Sequence, residues 1–151
     1  MNRFIVLDSG PLRLTTLAAH KPDADNCRAW IAAMKADGAV IVVTEIADYE
    51  VRRRHCKDQA TAGLRRLDAM KAAHEYRPIT TEIMLLAAEL WGMMRRIGRG
   101  PSPPEAIDGD AILVATVRFL GRAGDIVTIA TGDGDITRFP GIDARGWKTI
   151  D

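Results

Sequence analysis

Apolar positions follow two alternating rhythms along this chain. Apolar runs recur at Phe4-Ile-Val-Leu7, Ala39-Val-Ile-Val-Val43 and Ile126-Val-Thr-Ile-Ala130, the last broken only by Thr128. Short β-rich runs without polar alternation predict strands buried on both faces, as inside a parallel sheet. Between them the apolar residues return every three or four positions, the spacing of a helix with one buried face. Cys27, Trp30, Ile31 and Met34 predict a helix over 22–37, closed by Asp37-Gly38. A second follows Thr44, a candidate N-cap, through Glu45-Ile-Ala-Asp48-Tyr-Glu50-Val-Arg-Arg-Arg54, with Glu45, Asp48 and Arg52 expected on its outer side. Leu64, Leu67 and Met70 predict a third over 58–73, and Ile83, Leu86, Ala87, Leu90, Trp91 and Met94 a fourth, opened by Thr80 or Thr81.

The late part of the chain repeats the scheme. Gly98-Arg-Gly-Pro-Ser-Pro-Pro104 can be neither helix nor central strand and predicts a loop. A fifth helix is expected just after it, with Asp108 as N-cap and Asp110 on the same face as Leu113, Val114 and Val117. Tyr76-Arg-Pro-Ile79 reads as a short edge strand, because proline donates nothing to a central ladder. Gly146-Trp-Lys-Thr-Ile150 is expected to form a last short strand. Strands alternating with helices predict an α/β fold: a single-domain three-layer α/β/α sandwich, residues 1–151, around a central, mainly parallel, Rossmann-like sheet.

Composition narrows the classes of function without naming one. A chain of 151 residues, 47% hydrophobic and 27% charged, is large enough to bury one core and too apolar for disorder. Its formal net charge of +1 excludes a global basic field, so any nucleic-acid contact must be local. Arg52 to Arg54 forms such a local run, read as a solvated helix end because no aromatic residue is interleaved with it. Cys27 and Cys56 show neither a metal-ligand spacing nor a disulfide pattern, which suits a reducing compartment. No stretch resembles a signal peptide or a membrane span, so the expected location is cytoplasmic. His20, His55 and His74 lie outside the predicted site and read as surface residues.

Acids end the predicted strands or open the predicted helices. Asp8 closes the first apolar run, and Thr131-Gly-Asp133-Gly-Asp135 closes the third. Glu50 shares a helical face with Ile46 and Ala47, and Asp110 shares one with Leu113. Each acid alone has an ordinary explanation: Asp8 or Asp108 as a cap, Glu45 as first-turn dipole stabilisation, Asp133 or Asp135 as an acidic turn. In a parallel sheet, however, Asp8, Glu50, Asp110 and Asp133 converge on the carboxyl edge, where open α/β sheets bind ligands. Hard oxygen donors without His or Cys match Mg²⁺ or Mn²⁺ rather than zinc. A divalent ion in such a cup activates water and neutralises charge on a phosphodiester.

The sequence Val-Leu-Asp8-Ser-Gly, Thr-Glu-Ile-Ala-Asp-Tyr-Glu50, Asp108-Gly-Asp110-Ala-Ile-Leu-Val-Ala-Thr and Thr131-Gly-Asp133-Gly-Asp135 resembles PIN-domain proteins, especially the VapC-type ribonuclease toxins of toxin–antitoxin pairs. The resemblance spans nearly the whole chain. It implies a metal-dependent endoribonuclease that is a homodimer, held inactive by a cognate antitoxin. It implies Asp8, Glu50, Asp110 and Asp133 as catalytic metal ligands, with Ser9 and Thr131 as hydroxyl residues that orient ligands or waters. The family motif often ends in Asp-Phe, whereas Ile136 follows Asp135 here, so Asp133 and Asp135 both remain candidates for the fourth place.

Other readings of the acids fit less well. An aspartyl-phosphate enzyme would want Asp-x-Asp after the first strand or a lysine near the last, and Asp8-Ser-Gly offers neither. A calcium loop at Asp133 lacks the later ligands and the bidentate glutamate. The remaining rival is a catalytically inactive PIN-like scaffold that binds RNA or a partner protein.

Overall fold

The first apolar run forms the centre of one parallel sheet. The computed structural model describes residues 1–98, 107–132 and 135–151. Strand β1 (Arg3–Leu7) is flanked by β2 (Val40–Thr44) on one side and β4 (Ile126–Thr131) on the other, and β3 (Glu75–Arg77) and β5 (Ala144–Gly146) form the edges. Every pairing is parallel, in the order β3-β2-β1-β4-β5. Successive residues of β1 face opposite ways, so burial on both sides needs the uninterrupted Phe-Ile-Val-Leu run.

The helices supply the covers. On one face Val6, Val42 and Ile129 pack with Leu90 and Met94 of α5 (Thr81–Arg96) and Val114 of α6 (Asp108–Arg118). On the other, Ile5, Leu7, Ile41 and Val43 meet Leu12 of α1 (Ser9–Thr15), Ile31 of α2 (Pro22–Ala36) and Leu67 of α4 (Thr61–Ala73). Helix α3 (Glu45–Lys57) bridges the layers, giving Ile46 to the first core and Ala47 and Val51 to the second. The architecture is therefore the expected three-layer α/β/α sandwich. Among the described residues no helix is long and apolar enough to cross a membrane.

Register sets the functional edge. Leu7 pairs with Val43 on one side and with Ala130 on the other, so Asp8, Thr44 and Thr131 emerge together at the carboxyl ends of three adjacent strands. The chain winds outward from β1 in both directions, which makes the gap between β1 and β4 a topological switch point.

Four local expectations need correction. Ile107, not Asp108, is the N-cap of α6; Asp108 is its first residue, and no side-chain cap bond forms. The last strand lies earlier than expected, at Ala144–Gly146, and Trp147–Thr149 is a 3-10 turn. Packing decides that point: Trp147 is buried with its ring 5.7 Å from that of Trp30, whose indole N–H donates to Ile150 O at 2.9 Å. Asp48 is buried rather than on the outer side of α3, because Arg52 pairs with it at 2.9 Å and Lys71 approaches from α4 at 3.7 Å. His55 is also buried: its Nε2 lies 2.8 Å from the Thr16 hydroxyl.

Candidate active site

Asp8 stands where β1 turns into α1. Its backbone N–H donates to Ala130 O at 2.9 Å, which continues the ladder into β4, while its side chain caps α1 by accepting from Ser9 N at 2.8 Å. The other carboxylate oxygen accepts from the Thr131 hydroxyl at 2.8 Å. Capping and site assembly are thus one arrangement, with one oxygen fixed by the helix and the other by the neighbouring strand. Ser9 acts here through its backbone, and Thr131 through its hydroxyl.

Glu50 arrives from the adjacent helix. Thr44 caps α3 by accepting from Ala47 N at 3.3 Å, and Glu50 follows almost two turns later, its side chain 28% exposed. Burial raises its carboxyl pKa above the usual value, the negative charge of Asp8 raises it further, and Arg53, 3.9 Å away, partly offsets both. A carboxyl made harder to ionise by burial and by a neighbouring acid gains from a cation beside it.

Helix α6 closes the remaining side. A Cβ placed on Gly109 would come within 3.1–3.2 Å of the Glu50 carboxylate, so the first turn of α6 lies directly against Glu50. Asp110 is the next residue, half-buried, and Ala111, Leu113 and Val114 behind it are buried. Asp108 is exposed and lines a cleft of about 340 Å³ with Met84, Trp91 and Ile112. Gly109, between Asp108 and Asp110, is a functional position absent from the sequence-derived site. Its signal was available, since a glycine inside the first turn of an otherwise apolar helix marks a close approach.

Asp133 lies outside the described residues. Asp135 opens a 3-10 turn, Asp135–Arg138. Among the described residues no group of three or more His, Cys, Asp or Glu side chains is arranged to hold a metal ion. The described core of the site is the Asp8–Glu50 pair. Its donor chemistry, carboxylate oxygens under mutual repulsion, fits a hard dication such as Mg²⁺ or Mn²⁺.

Comparison with solved structures bears on this geometry. A chain of FitAcB from Neisseria gonorrhoeae matches with a TM-score of 0.68 at 14% identity, over 97% of this chain and 99% of that one. A chain of DNA-bound VapBC from Salmonella typhimurium matches at 0.63 and 18% identity, over 97% and 99%. VapC20 of Mycobacterium tuberculosis, a Sarcin-Ricin loop cleaving toxin, matches at 0.55 and 15% identity, over 88% and 92%. The fold is PIN-like. No protein-family model and no curated protein matches the sequence. At these identities the likeness concerns the PIN-like backbone, on which Asp8 and Glu50 occupy the carboxyl edge of the sheet.

Proposed function

We propose that this protein is a Mg²⁺- or Mn²⁺-dependent endoribonuclease, the VapC-type toxin of a toxin–antitoxin pair. The observation that carries the proposal is the Asp8–Glu50 pair at the switch point: Thr131 and the start of α1 hold Asp8 in place, and burial and Asp8 together raise the pKa of Glu50. Support of a different kind comes from fold neighbours that include VapBC complexes and a toxin that cleaves the Sarcin-Ricin loop. Asp8 and Glu50 would hold the ion, and Asp110, which belongs to no three-donor group among the described residues, would join them with Asp133 or Asp135 to complete the set. Bound there, it would supply charge neutralisation on the phosphodiester and acidify a coordinated water.

The chain's own residues do the positioning. Thr131 and Ser9 N restrain the two oxygens of Asp8, so it presents lone pairs in a fixed direction without reorganising. Gly109 leaves Glu50 room to lie flat against α6. A homodimer and a cognate antitoxin as partners belong to the same proposal. The rival is a PIN-like scaffold that binds without cutting, which differs from the nuclease in showing no metal-dependent cleavage of RNA.

The test is direct. Purified protein incubated with total RNA is expected to generate new, mappable ends with Mg²⁺ or Mn²⁺, and none with EDTA. Equal cleavage in EDTA, or none under any condition, would count against the nuclease.

A further inference from the structure

The arginine run on α3 divides into three different environments. Arg52 is spent internally: it bonds Asp48 at 2.9 Å and Asp68 at 2.6 Å, which holds its guanidinium firmly charged and in place. Arg54 is exposed in the last turn. Arg53 turns toward the site, 3.9 Å from Glu50, with its guanidinium carbon 5.3 Å from the centroid of the Tyr49 ring and its side chain 60% exposed. The aromatic partner missing from within the run is thus supplied one helical turn earlier, at the i, i+4 position. Tyr49 is itself 55% exposed, an unusual position for a large aromatic beside a carboxylate pair.

The surroundings suit one class of occupant. Tyr49 forms one wall of a cleft of about 570 Å³ with Ile46, Ile79, Met84 and Ile112, a size that admits a small organic group. The charged residues that also line it, Glu45, Asp48 and Arg52, are engaged internally. Glu45 accepts from the Tyr76 hydroxyl at 3.2 Å and from Ile79 N at 2.8 Å, and Asp48 is paired with Arg52 and Lys71. What faces outward is an aromatic ring, an apolar floor and, on the side toward Glu50, a loosely held guanidinium. A planar base attached to an anionic backbone complements all three.

We propose that Tyr49 and Arg53 form a nucleotide-positioning platform for single-stranded RNA: Tyr49 stacks on a base next to the cleaved bond, and Arg53 takes an oxygen of its phosphate. This rests on the nuclease reading of Asp8 and Glu50 and adds the step that seats the strand against them. Neither residue touches the reacting bond, so both are positioning residues whose loss should appear chiefly in KM; because Arg53 also neighbours Glu50, its kcat is read in Arg53→Lys, which keeps the charge.

The experiment compares wild type, Tyr49→Phe, Tyr49→Leu, Arg53→Lys and Arg53→Gln in steady-state cleavage of a labelled single-stranded RNA. Binding is followed in an Asp8→Asn background with a fluorescent adenine analogue that stacking quenches. Tyr49→Leu is expected to raise KM about tenfold and to abolish quenching, while Tyr49→Phe keeps both near wild type. Arg53→Gln should raise KM similarly and reduce the salt slope of RNA binding by about 0.7, with part of the loss restored in Arg53→Lys. Both side chains are largely exposed, so all variants should keep the wild-type circular dichroism spectrum. Wild-type KM and quenching in Tyr49→Leu and Arg53→Gln would overturn the platform and leave the nuclease standing. A change in sedimentation instead of KM would assign the pair to a protein interface and also overturn it. A wild type that neither binds nor cuts RNA would remove the nuclease reading and the platform with it.

Discussion

The carboxylate of Glu50 rests against Gly109, so close that a Cβ at that position would meet Oε1 at 3.1 Å. Glycine inside a helix costs about 1 kcal/mol relative to alanine, so its presence in the first turn of α6 trades stability for closeness. Gly109→Ala is therefore expected to leave the melting temperature unchanged or slightly higher and to lower RNA cleavage by about tenfold, as Glu50 is displaced by a few tenths of an ångström. Parallel thermal melts and initial rates check both halves. Loss of stability together with activity would show that the contact is merely packing.

Thr131 offers a second separation of site from fold. Its hydroxyl donates to Asp8 at 2.8 Å, and valine keeps the shape while removing the donor. Supporting bonds of this kind are worth about 10–100-fold in metal affinity or activity. Thr131→Val should therefore require more Mn²⁺ for half-maximal cleavage, while Thr131→Ser stays closer to wild type. A metal titration of the cleavage rate reads this directly.

Stability depends on a contact away from the site. The imidazole of His55 lies over Gly63, where a Cβ would come within 2.9–3.0 Å of three ring atoms. Gly63→Ala must push α4 away from α3, at a cost of about 1–3 kcal/mol by the measure of an overpacked core. Urea unfolding checks the magnitude. His55→Ala should be better tolerated in the Gly63→Ala background than alone, because it opens the space the methyl group needs.

His55 also gives the protein a pH dependence. Burial lowers its pKa from the ordinary value of 6.5, and Arg13 and Arg54 lower it further against the opposing charge of Asp58. A group whose pKa is depressed by folding binds more protons when unfolded, so stability rises with pH across the interval between the two values. The contribution is complete above about pH 6.5 and is lost as pH falls through the lower folded value. Half-buried His74 has the same sign. Melting temperatures between about pH 7 and pH 5 should fall for wild type and fall less for His55→Gln. An identical slope in the variant would remove His55 from the account.

What was legible in the sequence, and what was not, follows the range of the forces involved. The parallel sheet could be read because a strand buried on both faces must be continuously apolar, as Phe4–Leu7 and Val40–Val43 are. Asp8 could be placed at its carboxyl end for the same reason, and the register with Ala130 brings Thr131 beside it. Burial of Asp48 and His55 was not legible, because the groups that make it tolerable come from elsewhere in the chain: Lys71 for the first, Thr16 and Gly63 for the second. The position of the last strand was missed because a tryptophan in a short apolar run reads as β, whereas here packing against Trp30 draws Trp147 into a turn. The pairing of Tyr49 with Arg53 is legible only from i, i+4 spacing, since no aromatic lies inside the arginine run itself.

The joint action of Asp8 and Glu50 on RNA is tested most directly by one comparison. Initial rates of cleavage of one single-stranded RNA are measured with saturating Mn²⁺ for wild type, Asp8→Asn and Glu50→Gln, each first shown to melt as a folded protein. Cleavage by wild type and a loss of at least about a hundredfold in either variant is the predicted result. Wild-type rates in folded Asp8→Asn would contradict it.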